Sequence, residues 1–240
     1  MIITIDGPAG SGKSTAARKL AAKLGVAYLD TGAMYRTIAF AALEEGIRLK
    51  DEAELIRVAR DADIHLDCVP THTRVTLNGL DVSEAIRSMA VNQATNYVAR
   101  IQSIRDLLVE KQRAIGRKLG SLVTEGRDQG SVVFPNADFK FFLDAAIEKR
   151  ALRRYQELSA DGEEASYELI LENLQERDGN DQRQWAPLLE PTTAIHIDTT
   201  NISIHEVVER LLEEIHRKKK SMSTEGRNPA AKPEIAGSIP

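Results

Sequence analysis

The sequence predicts an α/β fold built on an open, mostly parallel β-sheet. Short apolar runs alternate along most of the chain with longer segments of helical periodicity, as in strands joined by crossover helices. The first apolar run leads directly into a glycine-rich segment and then into a helical pattern. With 240 residues, 42% of them hydrophobic and 28% charged, the chain resembles ordinary soluble proteins in composition and can bury one large core.

Glycine and polar capping residues delimit the first elements. Gly25 and Gly46 end two helical patterns as C-terminal caps, and Thr31 and Asp51 cap the helices that follow them. The resulting prediction is strands at 2–5 and 26–29 and helices at 14–24, 33–45 and about 52–62.

A small β-rich insertion interrupts this rhythm at about 63–85. The runs at 64–69 and 74–77 alternate between apolar and polar residues, which indicates strands with one buried face. Asn78-Gly79 favours a tight hairpin turn and leads into a short strand at 80–82. We therefore expect antiparallel pairing in this insertion.

The second half of the chain returns to alternating helices and strands. The predicted elements are helices at about 84–98, 102–119, 146–158, 166–177 and 203–219 and strands at 122–124, 139–143 and 194–198. A polar loop at 159–166 separates two of these helices. From Ser221 onward the chain contains Pro, Gly and Ser without periodicity, so we expect 221–240 to form a disordered tail.

The glycine-rich segment after the first strand has the pattern G-x-x-x-x-G-K-[ST] of a phosphate-binding loop. It consists of Gly7, Pro8, Ala9, Gly10, Ser11, Gly12, Lys13 and Ser14, with Thr15 next. Such a loop wraps backbone N–H groups around phosphates at the positive end of a helix dipole. Lys13 would reach the β- and γ-phosphate oxygens, and the Ser14 hydroxyl would ligate Mg²⁺. The sequence therefore predicts that residues 7–15 bind a nucleoside triphosphate.

Composition and charge exclude several other classes of partner. The net charge of −4 gives no support for a nucleic-acid or membrane surface. Cys68 is the only cysteine, so the chain has no internal disulfide and no thiol-rich metal site. No apolar run is long enough to span a membrane, and no basic leader precedes the first strand. We expect a cytoplasmic protein that acts as a monomer.

Two clusters of polar residues follow predicted strands, where ligands of open α/β sheets gather. In the first cluster, Thr31 at a helix start and Arg36 can converge on one anionic group, although Arg36 could also belong to a solvated helix face. In the second, Glu125 is positioned to hold a water of Mg²⁺ and Arg127 to hold a phosphate. The alternative for Arg127 is a structural ion pair with Asp128.

A third cluster, at 177–183, lies at a predicted helix end in a polar loop. Phosphoryl transfer needs cations that neutralise the charge spread over the transferred group, and Arg177 and Arg183 meet that need. A solvated surface cluster is the alternative. The GTPase signatures [NT]-K-x-D and D-x-x-G and the transporter signature L-S-G-G-Q are absent, so a kinase is favoured among proteins with a phosphate loop.

Four segments together carry a family resemblance. They are 5–14, 29–36, the run Glu125–Pro135, and Glu176-Arg177-Asp178 before Ala186-Pro187-Leu188. With the β-rich insertion, they make the chain resemble the bacterial cytidylate (CMP) kinases from residue 2 to about 217. This resemblance implies a three-layer P-loop kinase fold with a central parallel sheet, a monophosphate-binding insertion and a short lid at about 155–185. The implied reaction is transfer of the γ-phosphoryl of MgATP to CMP or dCMP, giving ADP and CDP or dCDP.

The resemblance also implies roles for individual residues that bind the acceptor nucleotide. Thr31 stands where a hydroxyl contacts the cytosine, and Arg36 and Arg105 match residues that hold the CMP phosphate. Arg127 matches an arginine that contacts both cytosine and phosphate, and Asp128 an aspartate that holds the cytosine edge or the sugar. Tyr35 lies in the same motif as Arg36 and belongs to the same substrate-binding set.

The lid segment departs from the family's pattern. Arg177 and Arg183 match arginines near the transferring phosphoryl, and Asp181 an aspartate that bonds the ribose. The usual D-R-D-x-x-R pattern is thinned here to Gly179-Asn180-Asp181-Gln182-Arg183, with one residue fewer before Ala186.

Two alternatives to this function stay open: another small-molecule kinase, such as an adenylate or shikimate kinase, and a nucleotide-binding regulator without transferase activity.

Overall fold

A five-stranded parallel sheet forms the centre of the fold. The computed structural model of the chain describes residues 1–160, 165–185 and 193–225, with side chains left undescribed at 182–185 and 221–225. In chain order the strands of the central sheet are β1 (Ile2–Asp6), β2 (Ala27–Asp30), β6 (Leu122–Gly126), β7 (Phe139–Asp144) and β8 (Ile195–Asp198). Their spatial order is β2-β6-β1-β7-β8, and every neighbouring pair is parallel.

Helices cover both faces of this sheet. Their bounds are α1 (Lys13–Leu24), α2 (Thr31–Glu44), α3 (Glu52–Asp61), α4 (Met89–Ala99), α5 (Gln102–Leu119), α6 (Ile147–Ala160), α7 (Tyr167–Trp185) and α8 (Ile204–Glu225). Val123 of β6 packs into a core cluster with α1 and α8, whereas its neighbour Leu122 packs on the other face with Val109 of α5. This alternation is what a strand buried on both faces requires, and it gives three layers as predicted.

The insertion is a separate antiparallel sheet of three short strands. It comprises β3 (Ile64–Cys68), β4 (Thr73–Leu77) and β5 (Leu80–Asp81), and Asn78 takes the positive φ of 51° that the predicted hairpin turn needs. The insertion is bonded to β2. Tyr28 N donates to Val69 O at 3.3 Å, and the Thr73 hydroxyl donates to Tyr28 O at 2.6 Å.

Two predicted helix starts are wrong. The predicted cap of α2 was Thr31, but Asp30 is the cap, because its carboxylate accepts from Ala33 N at 2.9 Å. The predicted helix at 84–98 is divided into a 3₁₀ turn (Ala85–Arg87) and α4. Ser88 separates the two because its hydroxyl caps α4 by accepting from Val91 N.

Two predicted helix ends are also wrong. The helix predicted to end at residue 177 continues through the third polar cluster to Trp185. Gly179 costs a helix about 1 kcal/mol, but no proline interrupts the segment and ion pairs hold it on both sides of that glycine. The last helix runs to Glu225 rather than 219, since no glycine or proline occurs before residue 226. Residues 226–240 of the predicted tail lie outside the described residues.

Within the described ranges, none of the helices is both long and apolar enough to cross a membrane.

Candidate functional site

The phosphate-binding loop joins the end of β1 to the start of α1. Gly7 has a φ of 147°, and a side chain there would place its Cβ 2.0 Å from Leu143 O. Gly12 occupies the cap position of α1 in a left-handed conformation, with a φ of 88° and no side-chain cap. The first N–H groups of α1 are therefore left without a capping side chain, which is the arrangement that binds phosphate.

Lys13 is the buried cation of this loop. Its Nζ donates to Pro8 O at 3.2 Å and lies 3.9 Å from Glu125 Oε2. The pKa of Lys13 is lowered to about 7, chiefly by burial and in smaller part by the positive charges of Arg127 and Arg177, while the negative charges of Glu125 and Asp181 oppose the fall. Lys13 therefore places a confined positive charge at the start of α1, beside the buried carboxylate of Glu125.

Arg127 and Asp181 connect the second and third polar clusters. Arg127 Nε donates to Asp181 Oδ2 at 2.7 Å, so the alternative pairing with Asp128 gives way to an ion pair with α7. Arg177, on the same helix, is exposed but within electrostatic reach of both residues. Lys13 also feels the charges of Arg127, Arg177 and Asp181, so these side chains lie within electrostatic range of the loop lysine. The side chain of Arg183 lies outside the described residues.

Asp128, Arg105 and Tyr35, which were predicted to bind the acceptor, lie within electrostatic range of one another. Asp128 is buried, and burial raises its pKa to about 6 although the positive charge of Arg105 opposes the rise. The Tyr35 ring is close enough to feel both charges. Arg105 is itself buried, donates to Ala99 O at 3.3 Å and bonds the side chain of Gln102. Three residues expected to bind the acceptor are thus brought together.

Thr31 and Arg36 have separate partners in the structure. The Thr31 hydroxyl donates to Glu125 O at 2.7 Å, whereas Arg36 pairs with Asp30 at 2.9 Å. Arg36 lies over Gly32, where a Cβ would come within 3.0 Å of its guanidinium. Among the described residues its Nε is buried without a hydrogen-bond partner, which is uncommon in native structures. Convergence of Thr31 and Arg36 on one anion stays a prediction.

The residues expected to hold magnesium fit that ion in their chemistry. Ser14 offers an exposed hydroxyl at the start of α1, and Glu125 offers a buried carboxylate. The part of the chain that the structure describes contains no group of three His, Cys, Asp or Glu residues able to enclose a metal. Hydroxyl and carboxylate oxygens are hard ligands of the kind that Mg²⁺ prefers, together with waters and substrate phosphates.

Sequence reasoning missed Arg150, a buried residue that supports the site. Arg150 donates to Ala9 O of the loop at 3.0 Å and pairs with Asp178 of α7 at 2.5 Å. Its only signal in the sequence was one basic residue among several on a helix. The sequence also gave no reason to single out Asp6, which ends β1 and is entirely buried.

A parallel three-layer α/β fold with this lysine-bearing loop at a strand–helix junction defines a P-loop nucleotide-binding protein. A sequence model described as cytidylate kinase matches residues 3–217. The chain belongs to the cytidylate kinase family, which confirms the resemblance found in its motifs.

Individual relatives agree with this assignment. The chain is 50% identical over 219 residues to the cytidylate kinase of Caldanaerobacter subterraneus subsp. tengcongensis, with 91% of this chain and 96% of the relative covered. It is 42% identical over 217 residues to the cytidylate kinase of Bacillus subtilis, covering 90% and 96%. The cytidylate kinase of Pseudomonas savastanoi pv. phaseolicola is 45% identical, covering 89% and 94%.

Proposed function

We propose that this chain transfers the γ-phosphoryl group of MgATP to CMP or dCMP. The carrying observation is the buried Lys13 at the uncapped start of α1, whose Nζ lies 3.9 Å from Glu125 Oε2 and within electrostatic range of Arg127 and Arg177. A site that keeps a buried lysine beside further arginines is built for a polyanion, because phosphates repay the cost of confining these charges. Membership of the cytidylate kinase family supports a cytidine monophosphate as the acceptor.

The proposed reaction is a direct in-line transfer between two bound nucleotides. Arg36, Arg105 and Arg127 orient the acceptor phosphate, so that one of its oxygens faces the γ-phosphorus. Lys13 and Arg177 stabilise the negative charge that spreads over the transferred group. The reaction needs no covalent enzyme intermediate, and Asp128 with Thr31 serves to recognise the cytosine.

Ser14 and Glu125 would hold magnesium in this proposal, Ser14 directly and Glu125 through a bound water. When bound, the ion would neutralise charge on the donor phosphates. Glu125 lies next to Lys13. Lys13 can therefore contact the donor phosphates directly, while Glu125 would act on the same phosphates through the magnesium ion.

A coupled assay of ADP release with CMP, dCMP, UMP and AMP as acceptors tests the proposal. We expect CMP and dCMP to accelerate ADP release strongly, and AMP to do so weakly. Lys13→Met should lower kcat by about 100-fold or more while leaving the protein folded, since it removes charge stabilisation that matters most in the transition state. Preference for AMP, or a folded Lys13→Met variant with normal turnover, would contradict the proposal.

The oligomeric state, the location in the cell and the roles of the lid and the insertion remain predictions. A monomer in the cytoplasm is consistent with a chain that acts on free nucleotides, and sedimentation at micromolar concentration would test the oligomeric state. The lid at about 155–185 and the monophosphate-binding role of the insertion belong to this proposal as well.

A further inference from the structure

Asp6 is a buried carboxylate between the two halves of the site. It is the last residue of β1, has 0% of its surface exposed, and pairs in register with Gly126 of β6. Its two oxygens accept from Gln129 N and Gly130 N, each at 2.8 Å. One side chain therefore joins β1 to the turn that directly follows Arg127 and Asp128.

The phosphate loop begins at the residue after Asp6, and its first residue is tightly packed. Any Cβ at Gly7 would collide with Leu143 O of β7, so the backbone at this point lies directly against the neighbouring strand. A displacement of Asp6 must consequently displace either β1 or the start of the loop. Asp6 thus marks a fixed point on the donor side.

The acceptor side is a π-helical turn, Gln129–Val133, which is an uncommon conformation and needs partners outside itself. Asp128 precedes this turn but provides no side-chain cap. The Gln129 side chain donates to Gln112 Oε1 at 3.1 Å and accepts from the Thr124 hydroxyl at 3.0 Å. Asp6 supplies the missing cap, because it accepts from the first two N–H groups of the turn.

We propose that Asp6 is a positioning residue that holds Arg127 and Asp128 in register with the phosphate loop. The proposal rests on the proposed function, since it concerns the alignment of acceptor and donor. Burial also raises the pKa of Asp6 to about 7, so the charged carboxylate opposes folding. A charge that is kept where it lowers stability fits a role in alignment better than a role in stability.

Asp6→Asn tests this role with little change in shape. The amide keeps one acceptor and turns an NH₂ group toward one of the two N–H groups that Asp6 binds, so the turn loses a bond and shifts. We expect kcat/KM for CMP to fall at least tenfold, the KM for ATP to stay within threefold, and the melting temperature not to fall. A fall in kcat/KM of less than fivefold, or equal rises of the two KM values, would overturn the proposal.

Two further variants keep the test decisive. Asp198→Asn is the matched control, because Asp198 ends β8 and also accepts a backbone N–H, from Thr200 at 2.8 Å, but serves no acceptor residue. It should leave both KM values unchanged. If Asp6→Asn fails to fold, Asp6→Glu, which keeps the charge and moves it by one methylene, is judged by the same kinetic criteria.

Amide hydrogen exchange separates this proposal from the proposed function. In Asp6→Asn the amides of Gln129 and Gly130 should exchange at least tenfold faster than in the unmodified protein, and in Asp198→Asn they should not. Unchanged exchange would overturn the positioning role even where CMP is phosphorylated. A wild-type protein that does not phosphorylate CMP would instead overturn the proposed function, whatever the exchange rates.

Discussion

Several residues of this site carry charge in places where it costs stability. Asp128 is the example with a direct readout, because burial raises its pKa from 3.8 to about 6 while Arg105 only partly offsets the rise. The folded state therefore binds more protons than the unfolded state between these two pH values. Stability from this group is present below pH 3.8 and is lost as the pH rises through 6.

Asp128→Asn should remove the cost of the buried charge, and it should also weaken the binding of CMP. At pH 8 the variant should be more stable to unfolding than the unmodified protein by about 1–3 kcal/mol, and the difference should vanish near pH 4. Its KM for CMP should rise at every pH. Urea unfolding at both pH values measures the effect, with the exposed Asp67→Asn as control. Loss of stability at pH 8 would contradict this account of Asp128.

The guanidinium of Arg36 is only partly satisfied by the protein. Its NH2 is paired with Asp30, whereas its Nε has no hydrogen-bond partner within the described residues. Arg36→Ala should raise the KM for CMP roughly 10- to 150-fold, as expected for losing a charge-assisted bond of about 1.5–3 kcal/mol. The KM for ATP should change little. Arg57→Ala, which removes only exposed ion pairs, is the matched control. Equal rises for both nucleotides would show that Arg36 does not grip the acceptor.

At the scale of elements, α7 is held over the phosphate loop by its ion pairs. Arg150 bonds both the loop carbonyl of Ala9 and the carboxylate of Asp178, which follows Arg177 directly. Arg127 provides the second tie through Asp181. The position of the helix that carries Arg177 thus depends on contacts with two other parts of the chain.

Asp178→Asn should loosen α7 without touching a nucleotide. We expect kcat to fall at least fivefold, because Arg177 would no longer be held in one place, and stability to fall by about 1–3 kcal/mol. This range lies below the usual cost of breaking a buried pair, since the Asp178 side chain is 27% exposed. Glu172→Gln, on the exposed side of α7, is the control. An unchanged kcat in the folded variant would show that catalysis does not depend on the Asp178 ion pair that holds α7.

Local signals explain which elements could be predicted. The phosphate loop and the hairpin at Asn78-Gly79 depend on neighbouring residues, and both were predicted from sequence and confirmed. The end of α7 could not be predicted, because Gly179-Asn180 favours a helix stop and the compensating partners Arg127 and Arg150 lie far away in sequence. The hydrogen bonds of the Asp6 carboxylate could not be predicted for the same reason, because its partners are more than 120 residues distant.

At the scale of the whole molecule, the two nucleotides should stabilise the fold separately. At about 100 times its Kd a ligand adds about 2.7 kcal/mol, which for a chain of this size corresponds to roughly 5–10 °C in Tm. We expect shifts of this size for MgATP and for CMP, measured by thermal unfolding. Lys13→Met should reduce the MgATP shift only in part, because Lys13 acts mostly in the transition state, and should keep the CMP shift. Loss of both shifts would contradict separate donor and acceptor sites.

The antiparallel insertion has a consequence for solubility. β2 is an edge strand of the central sheet, and an unprotected edge is a template on which strands of other chains can add. Val69 and Thr73 already occupy the outward-facing N–H and C=O of Tyr28. The insertion therefore blocks aggregation along this edge, so shortening it would expose a strand prone to intermolecular pairing.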